Sequence, residues 1–269
     1  MAFSGAPNRG IEFSVISEAF EFVKANIGAV CGFYAVGLIA SYVVSYAIQL
    51  PTIMAQVAAA STDNAAAATG FSLAALPFQM LGGIAQYGVL GLFNGGIAYM
   101  VIKYLRGEKV EFGDGFNAFS QALPLILGGI IASFLTALGL IGCIVGAFVV
   151  GGLFIPLYTI LVHEKLSVME ALKRSAELVK PYLVMGAVFF LVQGLLGSLG
   201  VLACCIGIFF TMPMMAACGT FIYRDLTGTD FGGQFAPAGG PSNYPREAGG
   251  SMPEYGNEEP RDPNTPPEM

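Results

Sequence analysis

The chain has 269 residues, of which 55% are hydrophobic and only 11% charged, with a mean hydropathy of +0.69. That is more apolar surface than a soluble domain of this size needs, so water is excluded as the only solvent. Twelve basic and eighteen acidic residues give a net charge of -6, and no basic stripe or base-stacking aromatic motif is present, which argues against nucleic acid as a partner.

In chain order, the opening MAFSGAPNRGIEFSVISEAF is polar and carries Glu12 and Glu18, with Glu21 directly after it, so it does not read as a signal peptide. Residues 1–26 are expected to form a cytoplasmic N-terminus ending in an amphipathic helix. A bilayer core of about 30 Å calls for roughly 20 apolar residues in a helix. A first span is expected from Ile27 to Leu50, with Pro51 placed to end it, and a second from Phe78 to Ile102, followed at once by Lys103 and Arg106. No charge occurs from Phe116 to Val162, a run too long for one span and suited to two, with Gly139, Gly142 and Gly146 marking a reversal. Pro181 to Tyr223 is a run of the same class, centred on GSLGVLACCIG. The expectation is therefore an all-α polytopic membrane protein with six transmembrane helices in residues 27–226. A disordered, Pro/Gly-rich, acidic cytoplasmic tail follows over residues 227–269. The P-x-x-P spacings at Pro260, Pro263 and Pro266 are too loose to set this tail apart from a plain solvated one.

Charge position tests the count of six, because short loops rich in Lys and Arg stay cytoplasmic. With six spans all twelve basic residues fall on one face, and both termini are expected in the cytoplasm of a bacterial cell, at its inner membrane. A count of five would split them across both sides. The same register exposes three parallel helical-hairpin repeats, each an amphipathic cytoplasmic segment, a span, a turn, a second span and a charged exit. The segments begin at Glu18, Asn117 and Glu170, and the exits read KYLRGE, HEKLS and YRDLTG. The first unit carries an Ala-rich outer loop, QVAAASTDNAAAATG.

The stretch HEKLSVMEALKRSAELVKP, residues 163–181, holds the densest charge in the chain. Val168, Met169, Leu172, Ala176 and Val179 recur at helical spacing, while Glu170, Lys173, Arg174, Glu177 and Lys180 can pair across turns. It reads as an interfacial cytoplasmic helix between spans four and five. His163, the only histidine, reads as a polar interfacial cap there.

Catalytic and metal-binding patterns are missing: no H-E-x-x-H, no phosphate-binding Gly-Lys loop and no G-x-S-x-G occurs. The chain is read as a non-enzyme without cofactor or metal. Inside the spans, Gln79, Gln86, Asn94 and Gln193 form either a polar path or interhelical contacts. The G-x-x-x-G pairs Gly28/Gly32, Gly91/Gly95 and Gly142/Gly146 suit close helix packing, and Pro156 and Pro213 should kink spans four and six. Cys143 and Cys204 or Cys205 fall at outward turns and could be bridged in an oxidising space.

The pattern G-G-I-A-Y…L-R-G-E…F-N-A-F, then L-V-H-E-K-L-S-V-M-E-A-L-K-R-S-A-E-L-V-K, then T-M-P…Y-R-D-L-T-G covers about half the chain. It resembles a broad group of uncharacterised bacterial six-span integral membrane proteins, and is similar to the membrane domain of some glycerophosphodiester phosphodiesterases. The resemblance rests on Glu170, Ala171, Leu172, Ser175, Pro213, Tyr223, Arg224 and Leu226. It implies an inner-membrane helical bundle and carries no reaction. The expected function is to organise or assemble a membrane complex or support envelope function, with the lipid bilayer, other membrane proteins or a second copy as partners. The alternative is a carrier or channel for a lipid-like or neutral solute.

Overall fold

The structure is a computed structural model that describes residues 10–60, 65–142, 144–202, 206–229 and 231. Cys143, Cys204 and Cys205, and the tail beyond Phe231, lie outside the described residues, and so does the proposed bridge. The first of two units, Met1–Phe235, contains every described element.

Among the described residues all regular structure is helical. In chain order come α1 (Ser14–Ala25), α2 (Ile27–Ala60), α3 (Ala65–Leu105), a 3-10 segment (Phe112–Gln121), α4 (Ala122–Gly142), α5 (Ile144–Leu153), α6 (Leu157–His163), α7 (Val168–Val179), a 3-10 turn (Lys180–Tyr182), α8 (Leu183–Leu202) and α9 (Ile206–Thr227). Five stretches among these residues are long and apolar enough to cross a membrane: Ile27–Ala58, Pro77–Leu105, Phe112–Gly139, Val145–His163 and Val168–Ser198. The expected sixth span coincides with α9, which is not among the five and carries Arg224 in its last turn.

The first hairpin departs from its expected form. Pro51 does not end α2, which runs on to Ala60, and α3 already begins at Ala65 and passes through Pro77. The Ala-rich stretch expected as an outer loop is thus helical on both sides of residues 61–64. Alanine is the strongest helix former, and a proline costs a helix about 3 kcal/mol, which several such residues can outweigh. Beside Pro51, Thr52 Oγ1 donates to the Gln49 carbonyl at 2.7 Å. At 1.5 Å per residue α2 and α3 are about 50 and 60 Å long, well beyond the bilayer core.

Pro156 acts as expected: the chain leaves the helix at Phe154 and re-enters it at Leu157. The break turns the Leu157 N–H to the Phe154 carbonyl, so the Leu153 carbonyl takes the Ser175 hydroxyl of α7 at 2.6 Å instead. Pro213, by contrast, lies within an uninterrupted α9.

Glycines set the closest approach. A Cβ on Gly91 would stand 2.6 Å from the Leu125 carbonyl oxygen and 3.1 Å from Gly129 Cα, and one on Gly129 would stand 2.6 Å from the Tyr87 carbonyl oxygen. Helices α3 and α4 therefore touch backbone to backbone. Gly95 also faces α4, against Leu125, whereas Gly28 has nothing within 4 Å. The second half of the G-x-x-x-G expectation thus has a packing reason that the first lacks.

The fully buried large side chains Phe22, Phe33, Ile97, Met100, Leu157, Ile160, Leu161, Phe221 and Ile222 sit at one end of the bundle. That end also gathers the charged connections. Lys103 pairs with Asp114 at 2.8 Å, Arg224 grips Glu18 of α1 at 2.8 and 3.2 Å, and Tyr223 donates to Glu164 at 2.7 Å. Elsewhere α2, α4 and α8 expose Ile39, Val43, Tyr46, Leu123, Phe134, Val184 and Leu195, as helices facing lipid would.

Helix α7 forms where the interfacial helix is expected, started by a capping box in which Ser167 Oγ and Glu170 Oε2 meet at 2.7 Å. Its buried face is Ala171, Leu172, Ser175 and Val179, while Met169, placed by periodicity in the apolar stripe, is 60% exposed. Among the described residues none of the expected pairs of Glu170 and Glu177 with Lys173, Arg174 and Lys180 closes to ion-pair distance: Glu170 is bonded into the cap, with Lys173 near enough to act on its charge, and Arg174 turns to Glu164 at 3.8 Å.

Candidate functional site

Helices α2, α3, α4, α5, α6, α8 and α9 surround an internal cavity of about 580 Å³. Its volume is in the range of small-molecule sites. Alanines, glycines, methionines and aromatic rings make up most of the wall, with no Asp, Glu, Lys, Arg or His in it. The bulk of the wall follows from the small residues: Gly129, Ala132 and Ala137 on α4 and Ala147 and Gly151 on α5 leave space that larger side chains would fill.

Of the four amides singled out in the sequence, the structure brings two to this cavity, Asn94 and Gln193. Asn94 lies about 16 Å back from the end of α3 and Gln193 about 15 Å beyond the start of α8, close to half a bilayer core from the charged end. The Asn94 side chain faces the Tyr158 hydroxyl, and Gln193 Nε2 donates to the Met215 carbonyl at 3.2 Å. Gln193 thereby acts as an interhelical contact between α8 and α9 and as cavity wall at once. Gln79 is exposed, and Gln86 is partly exposed and does not line the cavity. A continuous four-amide path is not assembled.

Two residues that the sequence reading passed over belong to the site. Tyr34 of α2 and Tyr158 of α6 line the cavity close to one another. Tyr34 is only 4% exposed, and its hydroxyl has no hydrogen-bond partner among the described residues. Tyrosines in membrane proteins favour the interfacial belts, and Tyr34 stands about 10 Å inside α2, a depth that signals a polar purpose. Ser133 and Thr136 add hydroxyls on α4, each donating to its own helix, at 2.9 Å to Ile130 and 2.8 Å to Ala132.

Away from the charged end, the wall includes Tyr87, 53% exposed, and Ala137, also exposed. The cavity therefore meets the bundle surface between α3 and α4, beside the exposed Ile84, Phe134 and Leu138.

A second, polar recess of about 230 Å³ lies at the charged end, lined among others by Lys103, Arg106, Glu108, His163 and Lys165. The His163 ring packs edge-on against Tyr223 and Phe231, at 5.8 and 5.0 Å. The recess sits at the C-terminal ends of α3 and α6, whose partial negative charge the cations offset. Lys103 is matched by Asp114, and Glu108 stands in the wall with Arg106 and Lys165. His163 is a half-buried part of that end's packing, with aromatic neighbours on two sides. Among the described residues no cluster of three or more His, Cys, Asp or Glu side chains could hold a metal.

No protein-family model, no curated protein and no solved structure matches this chain.

Proposed function

We propose that this chain is a six-span protein of a bacterial inner membrane that binds, and passes along, a lipid-like neutral molecule within its helical bundle. The observation that carries the reading is the uncharged cavity of about 580 Å³ at mid-bundle depth, with its surface opening between α3 and α4. Among the described residues no acid or base lines it, so coupling to protons or ions has no group there to run on, and no nucleophile with a base lines it either. The reading is therefore non-enzymatic. It shares the architecture implied by the resemblance to bacterial six-span proteins.

In this topology α9 is the sixth span, and the charged ends of α3, α6 and α9 are cytoplasmic. Support comes from the ion pairs and aromatic contacts that gather those ends with α1 and α7. The order α1–α2–α3, the 3-10 segment–α4–α5/α6, and α7–α8–α9 follows the three-hairpin plan. Cysteine labelling tests it: in a background without native cysteines, an impermeant reagent added from outside should modify a probe at Asp63 and not one at Ser242. Modification of both would refute the topology.

The cavity itself is tested by photo-crosslinking in nanodiscs with a neutral alkyl diazirine probe. Adducts are expected on wall residues such as Tyr158 and Phe190, and Ala132→Phe should abolish them. Adducts confined to the outer faces at Leu123, Val184 and Leu195 would overturn the reading.

A second reading, assembly of a membrane complex, draws on the length of α2 and α3, which extend some 20–30 Å beyond a bilayer core and offer a helical hairpin to a partner. Pull-down from mild detergent with mass spectrometry separates the two. Recovery as a bare monomer with one bound lipid-like molecule removes the assembly reading.

A further inference from the structure

We infer that the cavity's ligand is a single-chain amphiphile with an uncharged, oxygen-bearing head, held head-inward by Tyr34, Asn94 and Tyr158 and reached laterally through the gap beside Tyr87 and Ala137. This deepens the cavity reading above and rests on it.

The head position follows from the distribution of polar atoms. Tyr34, Asn94 and Tyr158 form the end of the cavity nearer the charged end of the bundle, with Tyr34 beside Tyr158 and Tyr158 beside Asn94. Tyr34 is the telling residue. A hydroxyl buried to this degree is normally paired, yet it has no partner among the described residues, while no fully enclosed side-chain oxygen or nitrogen there is left unsatisfied. Its oxygen therefore opens onto the cavity, a donor awaiting an acceptor. A hydroxyl, ester or ether oxygen satisfies it.

Charge is selected against by the same wall. A carboxylate or ammonium placed there would lose its water and find no counter-ion, because the lining holds no acidic, basic or histidine side chain. The tail direction follows from the rest of the lining. Toward the opening the wall turns to Leu90, Ala132, Ala137, Ala147 and Met212, with the Ser133 and Thr136 hydroxyls between them already donated to their own helix, which suits an alkyl chain. Size sets the chain count: about 580 Å³ accommodates one acyl chain with a small head, and falls short of a two-chain phospholipid. The route is lateral because the opening lies among side chains exposed on membrane-length helices, at Ile84, Tyr87, Phe134 and Leu138.

The test uses the full chain in nanodiscs with three probes of one chain length: 1-oleoylglycerol, oleate and oleylamine, each carrying a diazirine. Binding of the glycerol ester at least tenfold tighter than either charged probe is expected. Tyr34→Phe, which removes one oxygen and keeps the ring, should weaken the ester at least fivefold without lowering the unfolding temperature. Ala137→Trp should slow its association while leaving the extent of binding at long times unchanged. Equal binding of oleate, or an unchanged affinity in Tyr34→Phe, overturns this inference. Ala132→Phe separates the two levels: if it abolishes ester binding while Tyr34→Phe does nothing, the cavity reading stands and the head assignment falls. If Ala132→Phe also has no effect, the cavity reading falls with it.

Discussion

Replacing Gly129 by Ala tests the packing that creates the cavity. The new Cβ would lie 2.6 Å from the Tyr87 carbonyl oxygen and 3.1 Å from Gly91 Cα, where ordinary contact begins near 3.4 Å. Both neighbours are backbone, so no rotamer change relieves the clash. Helices α3 and α4 must part by roughly 0.8 Å, an overpacking that costs about 1–3 kcal/mol. Alanine's better helix propensity returns about 1 kcal/mol, leaving a net loss of up to about 2 kcal/mol. Gly28→Ala serves as the control: nothing lies within 4 Å, so only the propensity gain remains. The propensity gain is common to both, so the two variants should differ by the overpacking cost alone, about 1–3 kcal/mol. Because the chain has no tryptophan, unfolding is best followed with a thiol-reactive fluorogenic dye in a background where Cys31, Cys143, Cys204 and Cys205 are replaced, so that the signal reports exposure of the buried Cys218. The double variant Gly91→Ala/Gly129→Ala should lose less than the sum of the singles, since the first substitution already parts the helices. If Gly129→Ala melts at or above the wild-type temperature while Gly28→Ala does the same, the backbone contact does not exist and the reasoning fails.

Ser175→Ala removes the donor to the Leu153 carbonyl at the Pro156 break and should cost about 1–3 kcal/mol. Ser198→Ala, whose hydroxyl is exposed and bonds its own helix at 2.9 Å, should be nearly neutral in the same dye assay. Arg224→Lys keeps the charge and loses the two-pronged grip on Glu18. Faster hydrogen exchange over Ser14–Ala25, with little change in α8, is the expected result, and an unchanged α1 would refute the docking role. Asp114→Asn should destabilise the charged end, because it weakens the 2.8 Å pair with Lys103 and the acceptor of the Glu111 N–H, and Lys103→Met in that background should recover the part due to the ion pair. Glu177→Gln, on a side chain with no ion pair among the described residues, should stay within about 0.5 kcal/mol of wild type.

Much of the architecture was legible along the chain because membrane-length helices answer to local composition. The apolar runs from Ile27, from Phe78 and through Phe116 to Val162 each became helix, and the charged stretch at residues 163–181 became the capped helix α7. Where the reading erred, a local rule met a stronger neighbour. Pro51 should have stopped α2, but the alanines beyond it carry the helix on to Ala60. Met169 matched the apolar period, yet burial went to Ala171 and Ser175 because the Leu153 carbonyl needed a donor on that face. Glu170 had two candidate cations within a turn and instead closed the helix's own first turn.

The site was far less legible. Asn94 and Gln193 stood out as amides in apolar runs, and so did Gln79 and Gln86, which do not line the cavity. Nothing in a linear pattern says which way a side chain turns in a bundle with small residues on every helix. Tyr34 and Tyr158 are separated along the chain by most of α2 and all of α3, α4 and α5, and only the packing of α2 and α6 about α3 brings them to one cavity. The sequence alone determined that this protein is helical, apolar over membrane-length stretches and sorted in its charge, because each of those properties follows from residues within one or two turns of one another. The tertiary structure decided where the cavity lies, which of the uncharged side chains line it and that one buried hydroxyl is left open within it. Those properties depend on how far apart the glycines let distant helices stand, and on which side chains then face the space between them.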